Sequence, residues 1–268
     1  MSAPQPAPQR PCVLVFAGHD PSGGAGIAAD IEAIAAQGAH ALTIITALTV
    51  QDNEHVYALQ AVDTQIILQQ ALTLTAKIPL SVIKIGIVAH QQNAAAIARF
   101  IIALRQRQPA LQVILDPVLG SGRGDSLSLD DAVAALAPLL AVATLITPNL
   151  PELARLAANA EGTAAQVAAL MRQSPADVLV KGGHADEAQV HNVFYRSQQL
   201  TAARSWQWPR LDRQFHGSGC TLAAAISAAL AVGMSLEQAL DTAQIFTQRS
   251  LAQAYAIADG QLIPARHF

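Results

Sequence analysis

Lysine is nearly absent from this chain: among 268 residues it occurs only as Lys77, Lys84 and Lys181. Charged residues make up 13% and the net charge is -3, so the clustered cations that a phosphate backbone demands are missing. Nucleic acid is excluded as an expected partner. Cysteine is as rare, with Cys12 and Cys220 far apart. Two cysteines make no disulfide framework, and a reducing compartment is the simpler expectation. There is no Gly-Lys dipeptide, which excludes a Walker-type phosphate loop, and no Gly-x-Ser-x-Gly elbow, which argues against a serine hydrolase. The eight histidines are scattered without paired ligand spacing, which argues against a zinc site. No apolar run is long enough to span a bilayer. The nearest approach, 220–232, is too short and is interrupted by Thr221 and Ser227. Residues 1–11 are rich in Pro, Ala and Gln and lack the basic start and apolar core of a signal peptide. They are expected to form a disordered arm.

What is present is apolar. Hydrophobic residues reach 52%, enough for a large core. Short β-branched runs are expected as strands at 12–17, 42–48, 82–87, 113–116, 144–147, 178–181 and 190–195. Longer Ala-rich stretches are expected as helices at 26–37, 64–76, 91–108, 129–141, 151–158, 163–173, 220–232 and 235–258. The strand candidates are apolar nearly throughout, as strands covered on both faces are. Strand and helix alternate, so the expected class is α/β: a three-layer αβα arrangement with a mainly parallel central sheet and helices on both faces. No repeat or linker divides the chain, and 12–268 is read as a single domain. In such sheets ligands sit beyond the carboxyl ends of the strands. The polar, Gly-rich segments fall there: 18–26, 51–53, 116–125, 147–152, 181–184 and 216–220.

The strongest of these is His216-Gly217-Ser218-Gly219-Cys220-Thr221, which runs directly into an apolar helix. Glycines allow close backbone approach, and the first amides of a helix lack internal partners. Such a turn suits a phosphate or a phosphoryl group in transfer, or it caps a packed helix and nothing more. Cys220, at the helix start, is expected to have a lowered thiol pKa and to serve as general base toward a hydroxyl, unless it is an inert buried thiol. Asn149 and Glu152 stand three apart at a helix entrance. They suit Mg²⁺, or form a capping box, and spacing alone favours the cap. Lys181 ends a strand before Gly182-Gly183-His184 and is either a phosphate partner or a solvated terminus. Asp116 closes another strand, where it reaches a metal through water or starts a turn.

Taken together, the segments Ala17-Gly18-His19-Asp20-Pro21-Ser22-Gly23-Gly24-Ala25-Gly26, Ile45-Thr46-Ala47-Leu48, Lys84-Ile85-Gly86, Asp116-Pro117-Val118, Thr147-Pro148-Asn149-Leu150-Pro151-Glu152, Lys181-Gly182-Gly183-His184 and the 216–222 turn resemble, in order, the hydroxymethylpyrimidine/phosphomethylpyrimidine kinases of thiamine biosynthesis. These form a branch of the ribokinase superfamily. The resemblance runs from about Val13 to the last residues. It implies ATP and Mg²⁺ as cofactors, and a pyrimidine alcohol and its monophosphate as substrates. It implies a cytoplasmic homodimer with no membrane partner. It implies an anion hole at Gly217, Ser218, Gly219 and Cys220, with Cys220 as base where ribokinases proper carry Asp. Asn149 and Glu152 would organise Mg²⁺ and phosphate, Lys181 the nucleotide phosphates, and Asp116 the metal network. Gln51, Gly18 and Asp30 would lie on the pyrimidine side. The chain departs from the family at His19, where Thr or Ser is usual, and at Ile87, where Met is common. In the 119–125 loop it offers Arg123 instead of Lys. The rival expectations are a pyridoxal kinase, a sugar kinase (disfavoured by Cys220) and a regulator that kept the fold without catalysis.

Overall fold

The alternation of β-branched and Ala-rich runs produces one nine-stranded sheet in the computed structural model, which describes residues 9–120, 124–125, 127–183, 188–197 and 201–268. Most of the expected arm, together with Arg123 and His184, lies outside the described residues. The strands are β1 (Cys12–His19), β2 (His40–Gln51), β3 (Val56–Ala61), β4 (Val82–Ile85), β5 (Gln112–Leu115), β6 (Leu145–Ile146), β7 (Asp177–Val180), β8 (Gln189–Tyr195) and β9 (Ala202–Pro209). Their spatial order is β3-β2-β1-β4-β5-β6-β7-β8-β9. The six from β2 to β7 run parallel, while β3, β8 and β9 join antiparallel at the two edges.

The helices are α1 (Gly26–Ala36), α2 (Thr64–Lys77), α3 (Gln91–Arg105), α4 (Ala132–Leu140), α5 (Leu150–Leu156), α6 (Thr163–Gln173), α7 (Ser218–Ala231) and α8 (Leu236–Ala252). They cover both faces, so each central strand buries both sets of alternating side chains. Leu14 and Phe16 of β1 pack on one side, among Ile67 of α2, Ile97 of α3 and Leu153 of α5. Val13, Val15 and Ala17 pack on the other, among Ile34 of α1, Ile226 of α7 and Leu240 of α8. Each large side chain fully buried in this way contributes about 1.5–3 kcal/mol.

Three expectations need correction. β3 and β9 were not foreseen: both are edge strands, β3 half exposed with only a short apolar stretch at 56–59, and β9 mostly exposed with Trp206 and Trp208 as its large apolar residues. The last helix ends at Ala252 and not at 258, because Tyr255 leaves to pair antiparallel with Ile263. The fourth helix starts at Ala132, where Asp131 accepts hydrogen bonds from the amides of Val133 and Ala134 and so fixes the cap.

Candidate active site

The polar segments at the carboxyl ends of the parallel strands converge on a cavity of about 620 Å³. Gly18, Gln51, Asp116, Asn149, Glu152, Lys181 and the turn formed by Gly217, Ser218, Gly219 and Cys220 all line it.

The turn opens α7. Gly217 is its N-cap at φ 81°, and no side chain caps this end. A Cβ on Gly217 would stand 2.0 Å from the Gly24 carbonyl oxygen, so only glycine fits both the left-handed backbone and the close approach. The amides of Ser218, Gly219 and Cys220 belong to the first turn, where helix geometry supplies no acceptor and the helix dipole adds positive potential. A Cβ on Gly219 would lie 2.9 Å from Lys181 Nζ and 3.7 Å from Asp116 Oδ2, which places the turn against the cation and carboxylate at the floor of the cavity.

Lys181 follows β7, its amide bonded to the Pro148 carbonyl at 2.8 Å. Its Nζ donates to Asp116 Oδ1 at 2.6 Å and lies 3.9 Å from Glu152 Oε2. Thr147 Oγ1 also donates to Asp116 Oδ1, at 3.2 Å. Burial alone would raise the Asp116 carboxyl, but Lys181, Lys84 and the Thr147 bond hold it below its ordinary value. Glu152 goes the other way: burial outweighs the attraction of Lys181, and repulsion from Asp116 adds to it, pushing the carboxyl up to about 7. The capping box between Asn149 and Glu152 is complete in both directions, at 2.8 Å each, and its two residues also face the cavity. The cap reading therefore holds, at a helix entrance that opens on the cavity. Among the described residues no group of three or more His, Cys, Asp or Glu is placed to hold a metal. The Asp116 and Glu152 carboxylates fit a hydrated Mg²⁺, which keeps most of its waters and takes one or two carboxylates.

Cys220 does not have the lowered thiol pKa expected from its place in the helix. Burial pushes it up to about 11, and Asp116 and Asp30 add to the rise, against the opposing pull of Lys84 and a hydrogen bond from the Gly26 amide. The residue keeps some exposure to the cavity, yet enough protein surrounds the sulfur that the helix entrance does not compensate. Asp30 is also displaced from its expected role. It lies on the buried face of α1, does not line the cavity, and pairs at 2.9 Å with Lys84, both side chains being fully enclosed. Burial lowers the Lys84 pKa by itself, but the groups around it, Asp30 first and then Cys220 and Asp116, more than reverse this. Burial also pushes the Asp30 carboxyl up. The short contact and the firm hold of Lys84 on its proton define an ion pair.

Sequence reasoning passed over a third carboxylate of the cavity. Asp20 lines the cavity, receives the amides of Ser22 (2.8 Å) and Ala25 (2.7 Å), and contacts His216 Nε2 at 2.8 Å. Burial would raise it, but bonds from His216, Ser22 and Gln51 bring it down to about 2. Its position inside the 17–26 segment was the available signal.

A parallel sheet with helices on both faces, and a glycine turn facing a cation–carboxylate floor, is the architecture of the ribokinase-like small-molecule phosphotransferases. The sequence model of the phosphomethylpyrimidine kinase family matches residues 20–264, and this chain belongs to that family. A hydroxymethylpyrimidine/phosphomethylpyrimidine kinase of Rhizobium meliloti (strain 1021) is 35% identical over 263 residues, covering 95% of this chain and 96% of the relative. One from Escherichia coli (strain K12) is 34% identical over 265 residues, covering 95% and 96%. The crystal structure of phosphomethylpyrimidine kinase from Clostridium difficile 630 superposes with a TM-score of 0.72 at 27% identity, over 91% of this chain and all of that one. An ADP complex of Bacillus subtilis pyridoxal kinase gives a TM-score of 0.82 at 23% identity, over 96% and 98%, and shows the shared fold. No helix among the described residues is long and apolar enough to cross a membrane.

Proposed function

We propose that this chain transfers the γ-phosphoryl group of ATP to the hydroxymethyl oxygen of 4-amino-5-hydroxymethyl-2-methylpyrimidine, and then phosphorylates the monophosphate, in thiamine biosynthesis. The observation that carries this reading is the glycine turn at the head of α7, which opens onto the same cavity as Lys181, Asp116 and Glu152. The pyrimidine lies between Gly18 and Gln51, and the nucleotide phosphates lie toward Lys181 and the turn. The hydroxyl oxygen bonds to the γ-phosphorus while the bond from phosphorus to the bridging oxygen breaks and ADP leaves. Cys220 takes the hydroxyl proton as thiolate and later returns it to solvent. The amides of Ser218, Gly219 and Cys220 stabilise the charge on the transferring group, and Lys181 holds the phosphate oxygens. Asp116 and Glu152, with Asn149 fixing the Glu152 rotamer, would hold Mg²⁺, which neutralises phosphate charge when bound. The same reading implies one kinase domain over 12–268, supported by the continuous sheet, and a cytoplasmic homodimer.

The test is ADP formation with a panel comprising the pyrimidine alcohol, its monophosphate and pyridoxal. The expected result is the highest kcat/KM on the pyrimidine alcohol and measurable turnover of its monophosphate. Preference for pyridoxal would reassign the substrate, and no ADP with any alcohol would remove the kinase reading.

A further inference from the structure

Arg266 has the largest fully buried side chain in the molecule's described residues, and phosphoryl transfer as set out above gives it no task. The residue is 1% exposed, and its guanidinium divides its donors among α7, the loop entering α1 and α1 itself. Nε donates to Thr221 Oγ1 at 2.9 Å, in the first turn of α7. Nη2 donates to the carbonyl of Gly24, in the loop entering α1. Nη1 bonds Glu32 Oε2 of α1 at 3.0 Å. Two of these partners are immediate neighbours of the anion turn. Thr221 Oγ1 donates in turn to the Gly217 carbonyl at 2.9 Å. The Gly24 carbonyl is the atom against which Gly217 is packed most closely.

The segment carrying Arg266 is itself fastened to the turn. His216 donates its amide to the Leu262 carbonyl at 2.9 Å, Leu262 to Gln214 at 2.9 Å, and Ala265 to Ser250 at 3.0 Å. Phe268 seats its ring 3.8 Å from the Arg249 guanidinium carbon and 5.5 Å from the Phe246 ring. A planar guanidinium with its donors in a fixed fork imposes angles as well as distances on what it binds, which an ammonium cannot. Burying such a cation is costly, and simple stability is a weak reason to keep one.

We propose that Arg266 is a positioning residue for phosphoryl transfer. It pins the Gly24 carbonyl and the Thr221 hydroxyl so that Gly217 keeps its left-handed turn and the amides of residues 218–220 stay aimed at the transferring group. This rests on the reading of that turn as the anion site.

The experiment compares Arg266→Ala, Arg266→Lys and Thr221→Val with Cys220→Ala, measuring kcat, KM and the folded fraction of each, and repeats Arg266→Ala with methylguanidinium added. Misplacing a reacting geometry by about 1 Å costs on the order of 10²-fold, so kcat of folded Arg266→Ala should fall by about that factor with KM nearly unchanged. Lysine should not restore it, and methylguanidinium should, in that variant alone. Thr221→Val keeps the branched shape and the arginine, so it stays interpretable if Arg266→Ala fails to fold; its kcat should also fall with KM held. Wild-type kcat in folded Arg266→Ala, or in Thr221→Val when Arg266→Ala does not fold, overturns the proposal, as does a loss that merely follows the folded fraction. If Cys220→Ala also turns over normally, the assignment of Cys220 as base has failed with it; if Cys220→Ala alone is impaired, only the role of Arg266 has.

Discussion

Cys220→Ala is expected to fold as the wild type does and to bind ATP, while kcat falls by about 10²–10⁴-fold, the usual contribution of a general base. The site also fixes how the wild-type enzyme responds to pH. The thiol sits at about 11. The base form is the thiolate, which is scarce at neutral pH and grows about tenfold per pH unit below the pKa. The kcat/KM of the wild type should therefore climb with pH through the mildly alkaline range, because this parameter reports the free enzyme. The residual activity of Cys220→Ala should lack that slope. A flat wild-type profile in that range, or a variant that turns over normally, would show that the hydroxyl proton goes elsewhere. The raised pKa does not disqualify the sulfur. It makes the thiolate a strong base that is sparsely populated, with the Lys84 charge and the Gly26 amide there to receive it when it forms.

The second large effect concerns stability. Lys84→Met should lower the stability of the fold by about 3–5 kcal/mol, because it strands the Asp30 carboxylate in the core. For a chain of this size that corresponds to a melting temperature lower by on the order of 10 °C. Asp30 has little to fall back on, since its Oδ1 already lacks a hydrogen-bond partner. The double replacement Asp30→Leu with Lys84→Met should recover most of the loss, since apolar groups can replace a buried pair at little cost. It should leave kcat depressed, because the positive charge that most favours the Cys220 thiolate is gone. Calorimetry of the two variants decides. A Lys84→Met melt indistinguishable from wild type would mean that the pair contributes nothing to folding.

The central strands were legible because each is an apolar run bounded by polar residues, and two helical layers leave no other pattern available. The candidate site was legible in a similar way: at 116, 147–152 and 181 polar residues appear abruptly where apolar strands stop, and at 216–220 glycine and polarity precede an apolar helix. The edge strands β3 and β9 escaped notice because each lies partly or mostly in solvent and offers only a short apolar cue, residues 56–59 in one and Trp206 and Trp208 in the other. Asp30 was set on the pyrimidine side by the resemblance alone, and only the packing of α1 on the sheet shows that it points inward at Lys84. The Cys220 thiol went the opposite way from its local expectation because helix position is a short-range property and burial is a tertiary one. Arg266 gave no sign at all. Its partners are 45, 234 and 242 residues away along the chain, and nothing around it in sequence hints at them.

The central claim is that the amides entering α7 hold the phosphoryl group in flight. A crystal structure with ADP, the pyrimidine alcohol and fluoroaluminate, which mimics that group, tests it directly. The account predicts the fluoride ligands within hydrogen-bond reach of the amides of Ser218, Gly219 and Cys220, and the alcohol oxygen beside the Cys220 sulfur. A fluoroaluminate bound elsewhere in the cavity, or an alcohol turned away from that sulfur, would contradict it.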